Sequence, residues 1–202
     1  MPISDFGYSM TAHFLTIPPL IKNNELWLGA TCNSEDMVFS VPEGAEVSPK
    51  DREKAAKLGY VGNYTRLGNS NWFTNLEHGR RHQPIQLMSM ADNLKFSKHK
   101  QVTEDGYLQY DNFDAIEVPY VDAIPNDYDG MMGVPITFLD KYCPEQFEII
   151  DTTERWSSQR KKKYTVDEYK NANDLNATWV IKKNGEILKG YKRILIRKRV
   201  QE

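Results

Sequence analysis

Charge is segregated along this chain of 202 residues. From Gln101 to Glu154 there are thirteen acidic side chains and one basic one, Lys141; from Arg155 to Glu202 there are fourteen basic against five acidic. The overall formal charge of -2 therefore conceals net charges of -12 and +9, while the first hundred residues are nearly balanced at +1. Neither stretch can collapse on itself without like-charge repulsion. Two arrangements relieve it. The segments pack against each other, or the basic end meets a polyanion such as a nucleic acid. Charge alone leaves both open.

Apolar residues make up 40% and charged residues 27% of the chain, a globular composition. No apolar run approaches the ~18–20 residues of a membrane span, and Met1-Pro2-Ile3-Ser4-Asp5 lacks the basic-then-apolar order of a signal peptide. Cys32 and Cys143 lie far apart and outside any CxxC. They read as reduced, buried thiols of a cytoplasmic protein, and without paired Cys/His spacing no zinc is expected.

The apolar runs are short and closed by Pro, Gly or Asn, which favours strands over helices. Leu26–Gly29, Met37–Val41, Asn71–Leu76, Pro84–Met90, Ala115–Val118 and Phe147–Ile150 read as strands. Ser48 caps a helix running to about Leu58, with Pro49 in its first turn, Asp51 closing the box and Gly59 as its stop. Ile136–Tyr142 reads as a short helix between prolines, and residues 92–112 as an exposed loop. Thr178–Ile181 and Arg193–Ile196 flank Asn184-Gly185, a strong hairpin signal. The class is mixed α/β, with a lead-in over 1–17 and a single domain over 18–202.

Several stretches resemble the EcoRI-type adenine-specific DNA methyltransferase family. They are 19–29 (Pro-Leu-Ile-Lys-Asn-Asn-Glu-Leu-Trp-Leu-Gly), 71–76 (Asn-Trp-Phe-Thr-Asn-Leu), the long block 124–141 from Ile124 to Lys141, 144–149, and 191–198. The similarity covers roughly residues 18–200 and corresponds to the C-terminal portion of the family. It implies a partial Rossmann-like sheet plus DNA-recognition elements. It also implies S-adenosylmethionine as methyl donor in the full-length family and an Asn-Pro-Pro-aromatic motif that holds the flipped adenine. The only Pro-Pro pair here, Pro18-Pro19, has Ile17 before it and Leu20 after it. No glycine-rich turn follows a strand near the N-terminus. No catalytic and no cofactor-binding residue is therefore assigned, and the chain alone is expected to be inactive.

What the resemblance leaves to this chain is nucleic-acid recognition, where Lys and Arg hold phosphates and base edges specify sequence. Arg80, Arg81 and His82 top an expected strand–loop–strand unit. Arg160, Lys161, Lys162 and Lys163 form the densest basic run, with Trp156 and Tyr164 nearby. Arg66, Asn69 and Asn71 have the chemistry to read guanine and adenine edges, beside the simpler reading as turn formers around Gly68. Asp127 and Tyr128 lie in a turn-rich loop that reads either as a neighbour of the target base in the full-length enzyme or as a structural loop capping the Ile136 helix. The expected partner is DNA, or a protein that supplies the missing half. The alternative is a repurposed mobile-element protein that binds DNA or blocks a host defence nuclease. A homo-oligomer would also cover an orphaned sheet edge.

Overall fold

The computed structural model describes residues 2–3, 17–30, 37–67, 71–155 and 157–199. Most of the lead-in, Cys32, Gly68, Asn69 and Trp156 lie outside the described residues. The chain divides into two compact units, residues 1–78 and 79–202.

In the first unit β1 (Pro2–Ile3), α1 (Ile17–Lys22), β2 (Trp27–Leu28), β3 (Met37–Ser40), α2 (Pro49–Lys57), β4 (Tyr64–Leu67) and β5 (Asn71–Thr74) follow in order. The strands at 27 and 37 do not pair with each other. β5 lies between β1 and β2 in an antiparallel sheet, and β3 pairs with β4. Buried Trp27 donates its indole N–H to the Leu76 carbonyl at 3.1 Å, tying β2 to the chain beyond β5. At α2 the Ser48 hydroxyl oxygen accepts from the Asp51 N–H at 3.1 Å and donates to its carboxylate at 2.6 Å. Pro18-Pro19 sits in the opening turn of α1, where proline lacks no needed donor.

The second unit holds α3 (Met90–Phe96), α4 (Lys100–Asp105), β6 (Ala115–Glu117), β7 (Met131–Val134), β8 (Phe147–Thr152), α5 (Ala172–Leu175), β9 (Val180–Lys183), β10 (Glu186–Lys189) and β11 (Ile194–Lys198), with 3-10 turns at Gly79–His82, Val121–Ala123 and Ile136–Lys141. One mixed sheet runs β6-β7-β11-β8: β6 and β7 are parallel, and β11 is antiparallel to both β7 and β8. Met131 to Val134 are all buried, as are Ile194 to Ile196, the continuous apolar pattern of strands covered on both faces.

Three expectations are corrected here. Residues 84–90 are not a strand. Scattered hydrogen bonds stand in for a ladder: the Gln146 side chain exchanges two with the Ile85 backbone at 2.8 and 2.9 Å, and Asn126 donates its backbone N–H to the Met88 carbonyl at 3.0 Å and its side-chain amide to the Leu87 carbonyl at 3.1 Å. Residues 92–112 are not a loop, because α3 and α4 occupy most of the first half, Ser89 capping the former by accepting from Asp92 N–H at 3.0 Å. Asn184-Gly185 does turn the chain, with φ of 51° and 83°, but it joins β9 to β10. The run at 194–196 instead inserts between β7 and β8, since its three apolar side chains are buried while β10 is exposed throughout.

The core beneath the sheet gathers Tyr110, Phe113, Ala115, Met131, Trp179, Ile181 and Leu195. Tyr110 stacks on Trp179 at 5.3 Å and lies against the backbone of Gly133, where a β-carbon would fall 2.1 Å from the phenol oxygen. Gly133→Ala should therefore overpack the core and lower stability by about 1–3 kcal/mol, read as a drop in the urea midpoint with an unchanged slope.

Candidate functional site

The acidic and basic stretches meet in the second unit. Arg193, entering β11, donates to buried Glu117 of β6 through Nη2 at 2.7 Å and Nε at 3.0 Å, while the Tyr110 hydroxyl donates to the other carboxylate oxygen. The guanidinium lies 5.7 Å from the centre of the Trp179 ring. A second knot forms at Asp111. It accepts from the Tyr164 hydroxyl at 2.5 Å and from Lys162 at 2.9 Å, with Lys182 at 3.4 Å. Buried Asn112 beside it donates to the Thr178 carbonyl at 2.9 Å and accepts from the Val180 N–H at 2.8 Å. Lys161–Asp114, Lys183–Asp105, Lys192–Glu154 and Arg197–Glu148 extend the pairing at 2.5–3.5 Å.

The sequence candidates fall into different surroundings. Arg80, Arg81 and His82 form the 3-10 turn at 79–82. Arg81 is buried, Arg80 half-buried, and exposed His82 meets Glu145 at 2.7 Å. Arg160 is half-buried and donates to the Asn176 carbonyl, and its backbone bridges that of Phe113. Burial, with Arg155 adding to it, pulls the Arg160 guanidinium below its usual value. Lys161, Lys162 and Lys163 are exposed. Asp127 accepts from the Met90 N–H at 2.7 Å, at the start of α3. Tyr128 is half-buried over Gly130, and burial, then the Asp114 charge, raises its phenol. In the first unit Arg66 is half-buried in β4 opposite Val38, and Asn71 opens β5 opposite Ile3.

A groove of about 400 Å³ opens beyond the carboxyl ends of the parallel pair β6 and β7, the edge at which open α/β sheets hold ligands. Pro119, Tyr120, Val121 and Asp122 line it from the segment after β6; Pro135, Thr137, Asp140 and Lys141 come from that after β7, and His99 from the α3–α4 link. His99 and Tyr120 stack face to face, centres 3.6 Å apart and planes 4° from parallel. Asp122 fixes His99 Nε2 at 2.9 Å and takes Lys98 at 2.9 Å. Burial would raise the Asp122 carboxyl, but hydrogen bonds from Lys98 and His99 and their charge hold it below its ordinary value. Burial pushes Asp140 up, against the nearby charges of Arg80 and Lys141. None of these was a sequence candidate. The signal existed: Val118-Pro119 and Val134-Pro135 each end an apolar run with proline. Finding it needed β7, hidden in a block that reads as loop.

Among the described residues no cluster of His, Cys, Asp or Glu could hold a metal ion, and no helix is long and apolar enough to cross a membrane. Tyr128 fills the space beside Gly130, and Tyr110 that beside Gly133.

Sheet and groove define a mixed α/β protein with a groove at the carboxyl ends of a short parallel pair. A family model described as adenine-specific methyltransferase EcoRI matches residues 6–199, and the chain belongs to that family. It is 39% identical over 132 residues to type II methyltransferase M.EcoRI of Escherichia coli, covering 65% of this chain and 36% of that one. Similarity to type II methyltransferase M.MpnI of Mycoplasma pneumoniae is 36% over 146 residues, covering 72% of this chain and 42% of that one. A third relative, M.MgeORF184P of Mycoplasma genitalium, is 35% identical over the same length. The aligned part thus covers 36–42% of the length of these curated relatives. No solved structure matches it.

Two outcomes test the charge interlock. Glu117→Gln leaves the half-buried Arg193 charge without its counterion and should cost about 3 kcal/mol in chemical denaturation. At Asp111 burial raises the carboxyl, but hydrogen bonds from Tyr164 and Lys162 and the Lys182 and Lys162 charges outweigh it, so the folded value lies below the ordinary one. Its stabilisation is present above the unfolded-state value near 4 and is lost as pH falls through the folded one. The stability loss of Asp111→Asn relative to wild type should therefore be full at pH 6 and shrink below about pH 4.

Proposed function

We propose that this chain is the DNA-recognition part of an EcoRI-type adenine-N6 methyltransferase, working with a second polypeptide segment that carries the S-adenosylmethionine site and the Asn-Pro-Pro-aromatic motif. Family membership over residues 6–199 carries this reading. Two further facts support it. The 202 residues hold no Asn-Pro-Pro-aromatic motif, and the aligned relatives are more than twice as long as the part matched. We read the β6-β7-β11-β8 sheet as part of a Rossmann-like methyltransferase sheet, since it combines a parallel pair with antiparallel neighbours.

On this reading Lys161, Lys162 and Lys163 hold phosphates. Lys161 is tied to Asp114 at an exposed surface, a pairing worth no more than about 1 kcal/mol, which a phosphate can exchange; Lys162, itself exposed, shares half-buried Asp111 with Tyr164 and Lys182. Arg80 and His82 form a second candidate contact, and Arg66, Asn69 and Asn71 are candidate base readers. Arg81 and Asp127 serve these contacts from behind, one buried under the 79–82 turn and the other holding the start of α3.

Duplex binding followed by fluorescence anisotropy tests the proposal. Affinity should fall steeply with salt, and alanine at Lys162 or Lys163 should weaken binding to all sequences alike and reduce the log–log salt slope by about one. Added to a polypeptide carrying the Asn-Pro-Pro-aromatic half, the chain should restore adenine methylation. Salt-independent or absent binding, together with no complementation, overturns the reading.

A further inference from the structure

We infer that α2 and the loop after it form a docking surface for a second copy of this chain, packed antiparallel across a two-fold axis. The inference goes beyond the DNA-recognition reading and does not depend on it.

The helix is nearly bare. Of its nine residues, Pro49 to Lys57, only Ala55 is buried. A helix this short is marginal in water, and in proteins the packing of an apolar face is what usually holds one. Past its end the backbone closes in a Schellman motif. Gly59, at φ 88°, donates its N–H to the Ala56 carbonyl at 3.0 Å, and Tyr60 donates to that of Ala55 at 3.0 Å. The residues fixed by this turn are apolar and face water: Leu58 is 51%, Tyr60 46% and Val61 86% exposed. The Tyr60 ring is braced by that of Tyr64 at 5.5 Å. Three adjoining apolar side chains on a fixed backbone form a preordered knob, and contiguous exposed apolar surface of this kind marks a contact with a partner.

The charges beside the knob say which partner fits. Glu53 and Lys57 stand exposed one turn apart and pair at 2.8 Å. A surface with one acid and one base so placed complements itself. Turned over by a two-fold axis, Glu53 of one copy meets the partner's Lys57 and the reverse, as an isologous contact requires. The axis runs beside Ala56, which is exposed and small enough to let two helices approach closely. In that arrangement the knob reaches the exposed first turn of the partner helix, where Pro49 offers apolar contact and Lys50 a cation for the Tyr60 ring. A partner carrying a single sign of charge would match only half of this pattern. One short helix and one loop make a small contact, so the association is weak, with dissociation on the order of 100 µM.

Sedimentation velocity of the full chain at low salt, over concentrations spanning that value, tests the inference. Wild type should pass from monomer to dimer. Val61→Ser should weaken association about tenfold. Glu53→Lys and Lys57→Glu should each stay monomeric alone, because like charges then face each other across the axis. An equimolar mixture of the two should associate again, since each copy offers the charge the other lacks. The intrahelical pair is absent from both variants, so recovery in the mixture reports contact between copies. Wild type that is monomeric at every concentration, charge variants that self-associate like wild type, or a mixture no better than its parts overturns the inference. So does a wild type that stays monomeric but binds the polypeptide carrying the Asn-Pro-Pro-aromatic half and loses it on Val61→Ser, since the surface then belongs to that polypeptide. Duplex binding is read separately by the Lys162 and Lys163 variants.

Discussion

The second unit is organised around the contact between Glu117 and Arg193, residues 76 positions apart. Glu117 ends β6, and Arg193 stands immediately before β11. Two guanidinium donors and the Tyr110 phenol surround one carboxylate, and the guanidinium itself lies over the Trp179 ring. Such a pair gains little net stability over an apolar substitute, but leaving either charge alone inside is expensive. The contact therefore selects one arrangement. With β6 parallel to β7, and β11 between β7 and β8, the carboxylate meets its partner; other placements of β11 strand it.

That selection also builds the groove. The β6–β7 register, Ala115 opposite Met131 through Glu117 opposite Gly133, brings the segments after both strands to one edge. Pro119-Tyr120 and Pro135 then diverge from neighbouring strands and leave a slot that α3 and α4 border through His99. The Asn112 and Asp111 knot does the same for the basic end, holding residues 178–182 and the lysines at 161 and 162 against the acidic stretch. Much of the +9 charge is thus matched by carboxylates of the same unit, mostly at its surface, while Lys161, Lys162 and Lys163 stay exposed.

Several elements were legible from local chemistry. Ser48, Pro49, Asp51 and Gly59 specify α2 because capping and stopping need only neighbouring residues. Asn184-Gly185 specifies a turn for the same reason. The β10 arm was missed because a hairpin signal does not say which following run becomes the second strand. Ile194 to Ile196 are the more apolar choice, yet the sheet centre claims them. Residues 84–90 look like a strand by composition, but Gln146 and Asn126 satisfy their backbone from a distance. The groove was illegible because His99, Tyr120 and Asp140 lie on three separate segments, and no periodicity joins them.

The sequence by itself determined the mixed α/β class, the capped helix, the Asn-Gly turn and, through the wording of residues 124–149, the family. Each depends on residue identity over short spans. Only the tertiary structure decided that the acidic and basic stretches neutralise each other, that Arg81 turns inward, and that Tyr120 and Asp140 share a slot. Those outcomes follow from strand order, which is set by long-range burial and by the one partner a buried charge can accept, and neither is written in any local run of residues.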